Sequence, residues 1–422
     1  MRNILVVPCG TEIAHELIRS LKDIKNINLF GVNSIGCYTD LSPSNVFLDA
    51  PLIDDEHFVG YIADKVENHK ITHILPAHDS AALKLTEFAH LLSAKVVSSS
   101  YETNIICRSK QLTYNTLKDT VLVPKLYSLN DDLILPLFVK PDVGQGSNGV
   151  RKITAHADLN LSVGELLCEY LSGPEYTVDC VTDSNGQLLF AKARRRSVTR
   201  NGISVETELV KSQQQFHHFA QKINEKLQLR GGWFFQVKEN AKQELCLLEV
   251  ATRIAGSMIT SRFNGINFTE LSILISDNIP VSVIDNKLDV KLYRNLAYQF
   301  KSNLNYNVIY TDYDDCLLLE NKRVNTDLMK LLFDAINNGK KVVLITRHAG
   351  DLQQSLSKFR LSFVFDEVIH IIDSAQPKSA FISETDAIFI DDSFKERKDV
   401  SDKLGIPCFS VDMIRGLSCL QS

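Results

Sequence analysis

The run FVKPDVGQGSNGV, residues 138–150, carries Gly144, Gly146 and Gly149 shortly after Lys140. Glycines let a loop fold its backbone N–H groups over phosphate oxygens, and the missing side chains permit close approach. The lysine reaches the same oxygens as a point charge. The spacing satisfies G-x-G-x-x-G, but a dinucleotide loop of that form opens a helix. Here Val150 to Ile153 is strand-like, so the loop is expected at a hairpin tip, with a plain surface turn as the alternative. Further on, WFFQVKENAKQELCLLEVATRIAGS places Gln236 on one strand and Glu249 on the next. Oxygen ligands on adjacent strands beside phosphates suit Mg²⁺, which is usually held by few protein groups. Arg253, four residues after Glu249, is placed to meet a phosphoryl group in transfer. CEYLSGPEYTVD puts Glu169 at a strand end and Glu175 a few residues on. Carboxylates accept from ribose hydroxyls and from an adenine amino group.

A second set lies near the end of the chain. NVIYTDYDDCLLL, residues 307–319, ends an apolar strand at Asp312, with Asp314 two residues on. Positions i and i+2 of an extended chain project to one side, and two carboxylates at a strand end can bind one Mg²⁺. Leu317 stands where an EF-hand needs glycine, which excludes that loop. A capping cluster is the alternative for this motif alone. KVVLITRHAG then ends a strand at Thr346, SAQPKSAF carries Lys378, and AIFIDDS ends a strand with Asp391 and Asp392. Arg347 and His348 fall at the rim, where they can touch substrate or simply face solvent.

Three segments must position these groups. To about residue 100, RNILVVP, INLFGVN, THILPA and AKVVSS alternate with helical spacing such as Ile13, Leu17 and Leu21, which predicts a parallel α/β sheet. Ligands sit at the C-terminal strand ends of such sheets, where Gly10 and Asp79 fall. Asp79 is there either a site residue or a helix cap. From about 105 to 295, paired strands replace alternation: LPLFVKP with GVRKI, TVDCV with LLFAKARR, and WFFQVK with LCLLEVA. This predicts a mixed α+β region rich in hairpins. From about 305, NVIYT, KVVLIT, FVFDEVI and AIFIDD restore the alternation, after a polar joining stretch, DNKLDVKLYRNLAYQFKSNLN.

Composition narrows the classes. The chain has 422 residues, with Lys plus Arg 46 and Asp plus Glu 51, for a formal net charge of -5. That balance excludes an overall basic footprint for nucleic acid. No run approaches the ~20 apolar residues of a membrane span, and the start reads as a first strand rather than a signal peptide. The 9 cysteines include no C-x-x-C pair, which excludes a zinc ribbon or thioredoxin motif and fits reduced thiols in the cytoplasm.

In this order the motifs of residues 1–295 resemble the ATP-grasp superfamily, particularly its carbamoyl-phosphate synthase large-chain and carboxylate–amine ligase branch. SKQLTYNTLKD matches the stretch bearing a basic phosphate ligand, here Lys110; VKPDVGQGSNGV matches the lysine and glycine-rich loop. EYLSGPEYTVD matches the adenine and ribose hinge, and LEVATRIAGS the metal and arginine motif. The resemblance implies ATP contacts at Lys110, Lys140, Gly144, Gln145, Gly146, Ser147, Glu169, Tyr170, Leu171 and Glu175. It implies Mg²⁺ or Mn²⁺ at Gln236 and Glu249, with Arg253 catalytic. Asp79, Arg194, Arg196 and Arg200 are candidates for an anionic substrate, the last three within KARRRSVTRNGISVE, which is otherwise a solvated strand edge. One position departs from the pattern: Ala251 stands where the family usually has asparagine, in E-x-N-x-R.

Residues 305–422 resemble the haloacid dehalogenase superfamily, with all four of its motifs in order. The resemblance implies Asp312 as nucleophile, Asp314 as acid and base, Thr346 and Lys378 on the phosphoryl oxygens, and Mg²⁺ at Asp312, the Asp314 backbone carbonyl and Asp391 or Asp392. The expected organisation is an α/β and α+β multidomain chain. It has a pre-ATP-grasp α/β domain over 1–104, an ATP-grasp domain over 105–298, and a Rossmannoid parallel-sheet domain without a large cap over 305–422. The expected function is bifunctional: an ADP-forming carboxylate–amine ligase fused to a Mg²⁺-dependent phosphatase. The alternative is a phosphatase whose first half binds nucleotide or substrate without catalysis. Partners would be small-molecule carboxylate, amine and phosphoester substrates, with neither nucleic acid nor membrane, and self-association is left open.

Overall fold

Short Val/Ile/Leu runs with no room for a helix build the first sheet. The computed structural model describes every residue except 37, 38, 40, 145, 147, 201, 296–299, 301, 374 and 418–422, and at 43 the backbone alone. Two compact units result, Met1–Asn295 and Leu296–Ser422.

The first unit opens with β1 (Arg2–Val7), α1 (Glu12–Leu21), β2 (Ile27–Val32), β3 (Val46–Phe47), α2 (Phe58–Asn68), β4 (His73–Pro76), α3 (Asp79–Glu87) and β5 (Lys95–Val96). The strands form a parallel sheet in the order β3-β2-β1-β4-β5. Two helices follow, α4 (Tyr101–Arg108) and α5 (Lys110–Leu117), capped by Ser100 and Ser109 through their side-chain oxygens. Next come β6 (Leu126–Tyr127), β7 (Leu137–Pro141), β8 (Arg151–Ile153) and β9 (Glu165–Glu169), a four-stranded sheet in the order β6-β9-β7-β8. The glycine-rich loop joins β7 to β8, so it is a hairpin tip as expected.

The main platform is a six-stranded sheet. Its members are β10 (Glu175–Thr182), β11 (Leu188–Arg200), β12 (Ile203–Leu209), β13 (Gly231–Glu239), β14 (Leu245–Ala251) and β15 (Lys291–Tyr293), ordered β14-β13-β10-β11-β12-β15. Helix α6 (Gln214–Lys226) covers one face, where Phe216, Ala220 and Ile223 pack on Val178, Cys180, Trp233 and Phe235. After α7 (Ile259–Arg262), helix α8 (Phe268–Ser276) joins the first sheet to the platform. One apolar core runs from Ile4 and Leu17 through Phe234 to Phe268 and Ile273. The stretch 285–305 is therefore not merely a connector: β15 lies within it and pairs with β12. Its three residues are too few for a period-2 pattern to stand out.

The second unit is a five-stranded parallel sheet, β20-β19-β16-β21-β22. Its strands are β16 (Val308–Thr311), β19 (Lys341–Thr346), β20 (Glu367–His370), β21 (Ala387–Ile390) and β22 (Cys408–Phe409), with a small ribbon of β17 (Leu318–Leu319) and β18 (Arg323–Val324). Helices α9 (Thr326–Asn337), α10 (Leu352–Lys358), α11 (Phe394–Leu404) and α12 (Ile414–Leu417) pack with it. The strand expected over FVFDEVI is shorter. Only Glu367–His370 pairs, because Leu361 to Val364 forms a turn after α10 and Asp366 makes the first contacts with β19, at Val342.

Candidate active site

The platform's uncovered face is polar because strand side chains alternate. Along β10, Val178 and Cys180 point into the α6 core, so Glu175, Thr177 and Asp179 point the other way. Register carries one row across four strands: Glu249 opposes Gln236, Gln236 opposes Thr177, and Thr177 opposes Arg194. Paired positions share a face, about 4.8 Å apart per strand. The row floors a cavity of about 420 Å³, also lined by Lys110, Gly144, Gly146, Asp79, Arg196, Arg253 and Arg294. A neighbouring cavity of about 150 Å³ shares Lys110, the glycine loop and Glu249, and adds Lys140 and Glu175.

The basic groups are held in place. Lys140 is buried, and its Nζ donates to Tyr114 Oη at 2.5 Å, which in turn donates to the Leu248 carbonyl at 2.7 Å. Burial, reinforced by the charge of Lys110, lowers the Lys140 pKa. Lys110 Nζ donates to the carbonyls of Asp142 at 3.2 Å and Gly144 at 3.4 Å, gripping one side of the loop. Gly202, at the β11–β12 tip, touches its other side. A Cβ there would lie 2.3 Å from the Gly146 carbonyl carbon, so only glycine fits.

Glu249 carries a raised pKa: burial pushes it up, and Lys110 and Arg253 only partly oppose this. A cation beside the Gln236–Glu249 pair would hold it ionised, so the donor set fits Mg²⁺. Ala251 lines the same cavity and adds no ligand. Arg253 lies over the Phe234 ring at 5.3 Å, and its Nε and Nη2 each sit 2.8 Å from an oxygen of Asp79. Asp79 is thus not the cap of α3. His78 accepts from the Ser80 N–H instead, which frees the Asp79 carboxylate for the arginine.

The remaining residues expected in this site divide. Arg194 and Arg196 line the cavity, Arg196 with its Nε 2.8 Å from Glu175. Arg200, exposed at the end of β11, lines neither cavity although its register partner Ile203 lines the larger one: register shifts between Arg196 and Thr199 break the alternation that places Arg194 and Arg196 there. Glu169, Tyr170 and Leu171 also line neither cavity. Glu169 accepts from the Lys125 N–H, Tyr170 packs on Phe138 and Lys152, and Leu171 is buried. Gln145 and Ser147 lie outside the described residues. Sequence reasoning missed Gly202 and Arg294; the first had a signal, an Asn-Gly turn between two strands.

In the second unit, β16, β19 and β21 are adjacent and parallel, so the residues after them meet at their C-terminal ends. Lys378 Nζ lies 2.8 Å from Asp312 Oδ1 and 2.6 Å from Asp391 Oδ2, all three buried. Burial raises the pKa of Asp312, and burial with Asp312's charge pushes Asp391 up to about 6. Lys378 is raised despite burial, by the charges of Asp312 and Asp391. Thr346 is buried, and its Oγ1 accepts from the His348 N–H at 3.2 Å. Oxygens of Asp312 and Asp392 and the Cys316 sulfur lie within 4.8 Å of one another, a grouping that fits a cation. Asp391 stands apart from that grouping, tied to Lys378 and to the Ser393 N–H. The Asp314 side chain turns to His348, whose Nδ1 is 2.9 Å from Oδ1. Arg347 bonds Glu396 and the carbonyls of Asp373 and Gln376.

Residues 163–296 match the family model for the ATP-grasp in the biosynthetic pathway with Ter operon. Among solved structures, biotin carboxylase from Campylobacter jejuni in its β,γ-ATP complex is similar, with TM-score 0.56 and 17% identity over 68% of this chain and 73% of that one. N5-carboxyaminoimidazole synthetase from Staphylococcus aureus complexed with ADP gives TM-score 0.55 and 17% identity over 68% and 80%. L-amino acid ligase from Bacillus licheniformis gives 0.54 and 16% over 67% and 75%. The chain therefore contains an ATP-grasp fold. No curated protein matches the sequence. Among the described residues no helix is long and apolar enough to cross a membrane.

Proposed function

We propose that residues 1–295 form an ADP-forming carboxylate–amine ligase. The observation that carries this is the row from Glu249 to Arg194 beside Lys110, Lys140 and the glycine loop, on an ATP-grasp fold. The substrate carboxylate attacks the γ-phosphorus of ATP, ADP leaves, and an acyl phosphate forms. The amine then attacks the acyl carbon, and phosphate departs as the amide bond closes. Lys110, Lys140 and the loop N–H groups hold the phosphates, Arg253 faces the transferring group, and Gln236 and Glu249 would hold Mg²⁺. The metal would neutralise developing phosphate charge. The test is a screen of carboxylates and amines for ATP-dependent mass changes with the purified full chain. A product with the mass of the acid plus the amine less one water, formed with ADP, supports the reading; ADP without any such product contradicts it.

The lysine shared between Asp312 and Asp391 favours a second activity in residues 305–422, a Mg²⁺-dependent phosphomonoester hydrolysis. Asp312 would attack phosphorus to give an aspartyl phosphate, and Asp314 would protonate the leaving oxygen and then activate water. Lys378 and Thr346 would hold the phosphoryl oxygens, and Asp312 and Asp392 the metal. Ala251 favours an alternative for the first unit, nucleotide binding without turnover. Substrate-dependent ADP release separates the two.

A further inference from the structure

The end of the first unit's cavity opposite Glu249 is walled by cations that the ATP-handling end does not use. Arg194 is 1% exposed. The fully buried Asp179 takes its Nε at 2.9 Å and its Nη2 at 3.1 Å, and Ser261 Oγ donates to the same carboxylate at 3.2 Å. This fork fixes the guanidinium and leaves Nη1 buried with no hydrogen-bond partner among the described residues. Thr177 opposes Arg194 across the β10–β11 ladder, and its buried Oγ1 likewise has none. Both residues line the cavity. Arg294 lines it too, with one long bond from Nη1 to the Ser204 carbonyl at 3.4 Å. Burial and the Arg194 charge both disfavour its own charge, while Glu12 favours it. Arg253 and Arg196 each sit against a carboxylate, with Nε 2.8 Å from Asp79 and from Glu175, although neither Nε is aligned for a hydrogen bond.

Buried donors are almost always paired, so two orphans on adjacent strands point to a missing acceptor. A carboxylate or phosphate offers several lone pairs and suits a guanidinium edge. We infer that Arg194 Nη1, Thr177 Oγ1 and Arg294 form a subsite for a second acid group on the ligase substrate. The acid that is activated then carries a further carboxylate or phosphate. This rests on the ligase reading and deepens it. Gln236 and Arg194 are two strand spacings apart, about 10 Å, which places the two acid groups at opposite ends of one short carbon chain.

The test is calorimetric titration of the full chain with succinate, glutarate, 3-phosphonopropionate and the monoacid butyrate, with and without saturating MgADP. A diacid is expected to bind at least about tenfold more tightly than butyrate, because a site built for a hydrogen-bonded group rejects ligands lacking it. The phosphono acid against the dicarboxylates identifies the distal group. Arg294→Gln is expected to remove that preference, and Thr177→Val to weaken it severalfold, each with MgADP affinity unchanged. Thr177→Val replaces an unpaired hydroxyl by an apolar isostere, so it keeps the fold testable. Equal binding of diacids and butyrate, or undiminished diacid preference in Arg294→Gln, overturns the inference. Failure to bind MgADP overturns the ligase reading instead, and the nucleotide-free titrations still decide the subsite.

Discussion

Arg253 and Asp79, 174 residues apart, form an ion pair lining the first unit's cavity, with one hydrogen bond from Nη2 to Oδ2 at 2.8 Å and Nε 2.8 Å from Oδ1. Burial opposes ionisation of Asp79, yet the guanidinium holds its pKa below the ordinary value. The pair fixes the arginine proposed to face the transferring phosphoryl group. Arg253→Gln should lower the rate of ADP release on the order of 100-fold, the usual loss for a donor aimed at transition-state charge. Asp79→Asn should cost about tenfold, and the double variant should be no slower than Arg253→Gln alone, because the two act as one unit. Steady-state ADP release by the three variants checks this; full additivity contradicts it.

The Asp179–Arg194 pair is a stability element as well as a wall. Its side chains are 0% and 1% exposed. Asp179→Ala strands a buried guanidinium, so urea unfolding should show a loss of about 3–5 kcal/mol. A loss below about 1 kcal/mol would mean that solvent reaches the pair, as at surface ion pairs.

Asp277, after α8, bonds Arg2, His73 and Lys95 of the first sheet. Burial opposes its charge, but Lys95, His73 and Arg2 bring its pKa from 3.8 to about 2. A carboxyl depressed on folding stabilises fully above its unfolded value and loses that contribution as pH falls through the folded one. Asp277→Asn should therefore lower the thermal midpoint at pH 7. The gap to wild type should narrow below about pH 4 and close near pH 2. A gap that stays constant with pH would assign the loss to packing.

Lys378 bridges Asp312 and Asp391 at 2.8 and 2.6 Å. Asp312→Asn should abolish hydrolysis of p-nitrophenyl phosphate while leaving nucleotide binding by the first unit intact. Lys378→Met should also remove activity and strand two buried carboxylates, lowering stability by about 3–5 kcal/mol. Hydrolysis surviving in Asp312→Asn would exclude the aspartyl-phosphate route.

Local patterns made much of this legible. The alternation EYTVDCV already separates Thr177 and Asp179 from the apolar face of β10, and KENAKQE turns Gln236 back towards Glu249. The strand-end aspartates announce themselves because apolar runs stop at them. What stayed hidden depends on long-range pairing. Asp79 with Arg253 and His348 with Asp314 join residues on different elements, with no spacing rule between them. Arg294 follows a three-residue strand inside a polar stretch, so neither its sheet position nor its place in the cavity has a local signature. The Gly146–Gly202 contact depends on two hairpin tips meeting, which only the folded backbone fixes.

The most direct measurement of the central claim is carboxylate- and amine-dependent ADP release by wild type and Glu249→Gln, with MgADP affinity measured on both. Glu249 sits at the end of the row proposed to hold the metal, and its loss should lower turnover at least about 100-fold while the protein stays folded and still binds nucleotide. Undiminished turnover in Glu249→Gln, or wild-type ADP release indifferent to every carboxylate and amine, would contradict the ligase account.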